Sequence, residues 1–314
     1  MGCYLGIEIG GTKLQLVLGS EVGKPGRRQK CVVDPGKGAA GIREQIERAL
    51  PELARGQKIE AIGVGFGGPV DWRTGRICRS HQIEGWSEFD LGAWLEQLVG
   101  SPVRVDNDAN VGALGEATHG AGVGFSPVFY VTLGSGVGGG LVVDGKIYHG
   151  ATPGESEIGH VRLDRSGAIV ESRCSGWAVD AKIRALKERE PASALCRLAS
   201  GAMGGEAKYL ATALQAGDAA AKRILEETAE DLGFALSHVG HLFHPQIIIM
   251  GGGLSGVGEP LRGAVESALR RFTMEAFAPG PRVALAALGE DAVPVGALEL
   301  ARMGLSLSEN SPDK

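Results

Sequence analysis

Two glycine-rich turns, each set between a pair of apolar runs, constrain this chain more than any other feature. Tyr4 to Ile9 is largely apolar and stops at Gly10-Gly11, and a second run, Lys13 to Leu18, follows at once. Val128 to Leu133 stops at Gly134-Ser135-Gly136, and Val137 to Val143 follows. Each arrangement reads as strand, tight turn, strand. Both halves of the chain therefore open on one plan, repeated in layout and not in sequence. A glycine turn lets the backbone approach an anion closely and aim successive N–H groups at it. No Gly-Lys-Ser/Thr follows either turn, so neither is a Walker A loop. No helix starts at the glycines, so neither is a dinucleotide fingerprint. A triphosphate cradle and a plain hairpin turn both stay open at each position.

The rest of the pattern alternates strands with helices. Residues 38–54 read as a helix. Ile59 to Phe66 reads as a buried strand stopped by Gly67-Gly68-Pro69. Val103 to Val105 is a short strand leading into Asp106-Asn107-Asp108, and Ala109 to Thr118 a helix with Asp108 near its start. Gly120 to Gly124 suits a domain boundary. The chain turns mainly helical after residue 171, most clearly over 218–242, where Leu225, Leu232, Leu236 and Val239 share a face. Ile247 to Met250 is a buried strand ending at Gly251-Gly252-Gly253. A last short helix covers 293–305, and the polar tail from Ser306 is expected to fray. This order of elements gives an α/β protein of two layered domains.

Composition closes off several classes. The 314 residues suit two domains, and a net charge of −5 without a long basic run argues against nucleic acid and anionic membrane as partners. No apolar stretch reaches the ~18 residues of a membrane span. A strand pattern within four residues of the start leaves no room for a signal peptide. The 51 glycines cluster beside apolar runs, which suits turns and ligand loops. Cys3, Cys31, Cys78, Cys174 and Cys196 form no Cys-x-x-Cys pair, which indicates neither disulfide framework nor zinc knuckle and fits a reducing, cytoplasmic setting.

Five motifs in order carry a resemblance: Glu8-Ile9-Gly10-Gly11-Thr12-Lys13, Asn107-Asp108-Ala109-Asn110, Leu133 to Gly140, Glu157-Ile158-Gly159-His160, and Ile249-Met250-Gly251-Gly252-Gly253. From Gly6 to about Ala301 the chain resembles the ROK family of repressors, open reading frames and sugar kinases. The resemblance implies an actin-like (ribonuclease H-like) ATPase fold of two α/β domains with an interdomain active-site cleft. Residues 1–118 plus the C-terminal helix, about 293–308, would form one domain and 119–292 the other. ROK repressors carry a helix-turn-helix before the first glycine motif. That motif begins here at residue 6, which favours kinase over repressor.

The implied chemistry is ATP-dependent phosphorylation of a hexose, glucose first, at its 6-hydroxyl. Such transfer needs a carboxylate to accept the hydroxyl proton, a metal to screen the phosphates, and donors to hold both substrates in line. By resemblance Asp108 is the catalytic base, with a helix N-cap as the plain alternative. Gly68, Asn107, Glu157, His160 and Glu171 would bind sugar together with Asp108. The alternatives are a solvated loop carboxylate for Glu157, a core histidine for His160 and a helix-start charge for Glu171. Gly10, Gly11, Thr12, Lys13, Gly134, Ser135 and Gly136 would hold ATP phosphates, and Gly251, Gly252 and Gly253 the adenosine. The altered Gly67-Gly68-Pro69 turn would still offer N–H groups to sugar, and His81-Gln82 could tune which sugar is taken.

Two departures stand out. Glu8 replaces the usual aspartate that serves Mg²⁺, adding a methylene. The stretch Asp164 to Val170 is short and lacks the cysteines that bind structural zinc in most members, so no zinc is expected, because His160 alone cannot build a tetrahedral site. The resemblance implies a homodimer. Other acceptors in the family are N-acetylhexosamines, mannose, fructose and allose. The competing readings are a non-catalytic sugar sensor and an actin-like ATPase of another kind, such as an acetate kinase relative.

Overall fold

The computed structural model describes residues 2–20, 23–80, 83–154 and 156–309. His81-Gln82 lies outside the described residues. In chain order the elements begin β1 (Cys3–Ile9), β2 (Lys13–Gly19), β3 (Arg27–Val32), α1 (Gly38–Ala54), β4 (Ile59–Phe66), β5 (Val70–Asp71), β6 (Arg76–Ile77), α2 (Leu91–Val99), β7 (Val103–Asn107) and α3 (Asp108–His119). They continue β8 (Val128–Leu133), β9 (Val137–Val143), β10 (Lys146–Ile147), α4 (Val170–Cys174), α5 (Gly176–Arg189), α6 (Ala194–Leu198), α7 (Leu210–Gln215), α8 (Ala219–Phe243), β11 (Ile247–Gly251), α9 (Glu259–Phe272), β12 (Arg282–Leu285) and α10 (Ala292–Glu309). Two compact units result: Met1–Gly124 with Gly140–Ser156 and Ala287–Lys314, and Phe125–Gly139 with Glu157–Ala286.

The first unit is built on a sheet of order β3-β2-β1-β4-β7. β1 pairs antiparallel with β2 and parallel with β4, which pairs parallel with β7. Leu5, Ile7, Ile9, Leu14, Leu16, Ile62 and Val64 are all buried. These alternate positions share one face of each strand, and the other face is buried too, at Gly6, Val17 and Gly63, so the strands read as apolar runs. From α1, Ile42, Ile46, Leu50 and Leu53 enter this core at helical spacing. The last helix, α10, packs on α3 and β4 with backbones in near contact. A Cβ on Gly296 would collide with the carbonyl of Val111, and one on Gly63 with that of Ala297.

The second sheet runs β10-β9-β8-β11-β12, with β11 parallel to both β8 and β12. Ile247, Ile248, Ile249 and Met250 are buried, as are Leu232 and Leu236 of α8 and Val265 and Leu269 of α9.

Two details differ from the sequence reading. α10 runs to Glu309, past the expected fraying point at Ser306. Residues 140–156, grouped by sequence with the second half, pack with the first unit. Gly140 permits this, because a Cβ there would stand 2.7 Å from both Ala109 O and Ala113 Cβ of α3.

Candidate active site

In the first unit the candidates gather around Gly67. A Cβ on that residue would stand 3.4 Å from Asp108 Oδ2, 3.4 Å from Ile9 O and 3.6 Å from Gly10 Cα. The end of β1, the end of β4 and the start of α3 therefore meet at one glycine. Asp108 and the first glycine turn, 98 residues apart by numbering (108 minus 10), become neighbours.

Asn107 caps α3. Its Oδ1 accepts from the N–H of Ala109 (2.8 Å) and of Asn110 (3.3 Å). The capping task proposed as the alternative for Asp108 thus falls to its neighbour. Asp108 is the first residue of the helix, half-buried, where the aligned peptide dipoles favour an anion. Asn107 Nδ2 donates to Gly68 O at 3.2 Å. The Gly67-Gly68-Pro69 turn differs from expectation. Gly67 N–H donates to Ile9 O (2.8 Å) and Gly68 N–H to Phe66 O (2.9 Å), while proline has no N–H. What this turn offers is carbonyl oxygen.

The first glycine turn closes by Gly10 N–H donating to Lys13 O at 2.9 Å, with Thr12 exposed. Glu8 and Gln15 are cross-strand partners, so Gln15 Nε2 donates to Glu8 Oε2 at 2.7 Å. Lys13 Nζ lies 3.0 Å from Glu8 Oε1. The residue read as a phosphate ligand and the one read as serving magnesium are thus paired with each other.

In the second unit the candidates gather around Val137. Its N–H donates to Glu171 Oε2 at 2.9 Å, and a Cβ on Gly136 would collide with that same carboxylate. Val137 O bears on Gly159, which also could not carry a Cβ. A short 3₁₀ turn, Ile158–His160, buries Ile158 and Gly159 and leaves Glu157 and His160 exposed on its outside. His160 Nδ1 is 3.4 Å from Glu157 Oε2. Glu171, the Glu157–His160 pair and the second glycine turn are thereby brought together, although the sequence assigned them to different ligands. Gly134 O accepts from Gly176 N–H at 2.7 Å, tying the turn to the start of α5, and Ser135 is exposed.

Two of the three glycines at the end of β11, Gly251 to Gly253, have packing reasons. Gly251 lies against the Tyr130 ring, and Gly252, at φ +81°, lies 2.6 Å from Leu133 backbone measured from an ideal Cβ. Gly253 faces open space.

Among the described residues no cluster of three His, Cys, Asp or Glu is placed to hold a metal ion. Cys174 is fully buried, and its Sγ donates to Thr228 O at 3.6 Å. Burial, then the Asp231 charge, pushes this thiol up to about 12, so it is protonated here. The loop before Glu171 is pinned by its own backbone instead. Leu163 N–H donates to Ala168 O (2.8 Å) and Val170 N–H to Val161 O (3.0 Å). Asp164 Oδ1 accepts from the N–H groups of Ser166 (2.7 Å), Gly167 (3.0 Å) and Ala168 (3.3 Å).

Sequence reasoning missed Asp106, His149 and Glu116. Asp106 is buried, with its carboxylate 2.6 Å from His149 Nε2. Glu116 is wholly buried in α3 and accepts three backbone N–H groups. For Glu116 the one local signal was a charge set among small apolar residues, Ala113-Leu114-Gly115 before it and Ala117 after it.

This layout of two α/β units, each opening on a glycine-turn hairpin, is that of the actin-like ATPases. The chain belongs to the ROK family, whose pattern matches residues 4–303. It is 32% identical to a glucokinase of Halalkalibacterium halodurans, over 99% of this chain and 97% of that one. It is 30% identical to a glucokinase of Thermotoga maritima, over 94% of this chain and 96% of that one. A ROK family glucokinase from Streptomyces griseus, solved with glucose and AMPPNP, superposes with a TM-score of 0.85 at 33% identity, covering 96% of this chain and all of that one.

Proposed function

We propose that this chain is an ATP-dependent hexose kinase that transfers the γ-phosphoryl group to the 6-hydroxyl of glucose. The carrying observation is the meeting of Asp108 and Gly10 at Gly67, in a chain related along its whole length to glucokinases. A base and a phosphate turn must lie within a few ångströms for one hydroxyl to attack one phosphorus.

Asp108 takes the proton of the sugar hydroxyl as its oxygen bonds to the γ-phosphorus. The bond from that phosphorus to the β,γ-bridging oxygen breaks, and ADP leaves with the electron pair. Asn107, Glu157, His160 and Glu171 hold the sugar hydroxyls, each of which both donates and accepts. Lys13 turns from Glu8 to the phosphates. Glu8 is an oxygen donor of the kind Mg²⁺ takes; its carboxylate would hold that ion, which would screen phosphate charge. Among the described residues no helix is long and apolar enough to cross a membrane. We read the protein as a cytoplasmic homodimer without zinc, acting on neither nucleic acid nor membrane.

ADP release from ATP and Mg²⁺ across a panel of hexoses and N-acetylhexosamines tests this. Glucose should release ADP, and Asp108→Asn should lower kcat at least 10²-fold, the usual range for a lost general base. Silence with every sugar, alongside a sugar-raised melting temperature, would leave a sensor in place of a kinase.

A further inference from the structure

We propose that His149 is a positioning residue for Asp108, acting through Asp106; this rests on the kinase reading above. Asp106 is 3% exposed, so each of its carboxylate oxygens needs a partner. Oδ1 accepts from Asn107 N–H (2.8 Å) and Asn110 Nδ2 (2.9 Å). Oδ2 lies 2.6 Å from His149 Nε2. An ionised carboxylate can only accept, so Nε2 carries the proton of that bond.

The imidazole is itself held. It stacks on Trp72, with ring centroids 4.1 Å apart and planes 13° from parallel. Arg73 covers that indole, its guanidinium carbon 5.3 Å from the ring centroid. Asn110 Nδ2 also donates to Gly154 O at 2.9 Å. The segment after β10 therefore grips the β7–α3 junction twice, at Asp106 through His149 and at Asn110 through Gly154. Asp108 lies between these two gripped residues. Its backbone direction follows from where Asn107 N–H and the first helical turn are fixed. A buried, charge-assisted pair is stiff, and that stiffness is what a base needs when small misplacements cost large factors in rate.

A purely structural role would lower stability and leave the rate of folded enzyme alone. His149→Phe keeps the stacking on Trp72 and removes the N–H. It should lower kcat for glucose about 10-fold or more while the KM for ATP stays within about two-fold. His149→Gln restores a donor and should recover most of the loss. His149→Phe with Asp106→Asn removes the unpaired buried charge if the single variant folds poorly, and should stay slow. Wild-type kcat in the folded His149→Phe enzyme overturns the proposal and leaves the kinase reading standing. So does a Gln variant no faster than Phe. A wild type inactive on every sugar overturns the kinase reading and this inference with it.

Discussion

Asn107 and Asp108 divide two tasks that one aspartate at a helix start could have combined. The amide satisfies the orphan N–H groups of α3, and the carboxylate beside it turns to Gly67. Glu116, two turns on, does for the chain what Asn107 does for the helix. Oε2 accepts from Ala121 N–H (2.8 Å) and Ala287 N–H (3.1 Å), and Oε1 from Leu288 N–H (2.8 Å). Truncating it takes the acceptor from three part-buried backbone donors. Glu116→Ala should lower unfolding free energy by about 3 kcal/mol, and Glu116→Gln by less, because the amide keeps an acceptor. Urea denaturation measures both, and an alanine variant within about 0.5 kcal/mol of wild type would refute the assignment. Asn107 and Asp108 stood out because they adjoin in a motif that resembles the family's. Glu116, Asp106 and His149 did not, because their partners stand up to 172 positions away.

Among elements, the strands around the glycine turns announced themselves by being largely apolar. β3 did not, since an edge strand of sequence Arg27-Arg28-Gln29-Lys30-Cys31-Val32 carries charge where its neighbours carry Leu and Val. The loop before Glu171 shows what spacing alone could not. It contains no cysteine, and its backbone is held by the Asp164 turn. The Ser166 hydroxyl, with the N–H groups of residues 166–168, outweighs the small effect of burial and holds the Asp164 carboxyl below its ordinary value of 3.8. The stabilisation these bonds give is therefore present above the ordinary carboxylate range and falls away as pH drops through the lowered value. Asp164→Ala should raise the KM for glucose severalfold with little change in melting temperature, because the residue is exposed and buries nothing. A zinc-selective chelator should leave the wild-type KM unchanged. A chelator effect as large as that of the mutation would mean the loop depends on a metal after all.

At the scale of the molecule, both chain ends close on the first unit, β1 inside its sheet and α10 against α3 and β4. The charges on α10 then tie global stability to pH. Glu299 is nearly buried, with Arg302 Nε 3.2 Å from Oε1 and His119 Nε2 3.3 Å from Oε2. Burial pushes its pKa up, but the bonds from Arg302 and His119 outweigh burial and hold it below the ordinary 4.5. Asp218, at the start of α8, behaves alike, with burial outweighed by backbone donors that include Ala221 and Leu195. Asp231 runs opposite, since burial raises it more than Lys182 and Arg173 lower it. Lowered carboxyls give stability that is present above their unfolded values and lost as pH falls through the folded ones, whereas Asp231 favours the fold at lower pH. For Glu299 the window therefore opens near pH 4.5 and extends downward. Wild type should melt a few degrees above Glu299→Gln at pH 7, where about 1 kcal/mol corresponds to ~2–4 °C in a domain of this size. That gap should close as pH drops below 4.5, since the protonated carboxyl then resembles the amide. Paired melting curves between pH 7 and 3 decide the matter: a gap that stays constant would mean Glu299 acts by packing and not by charge.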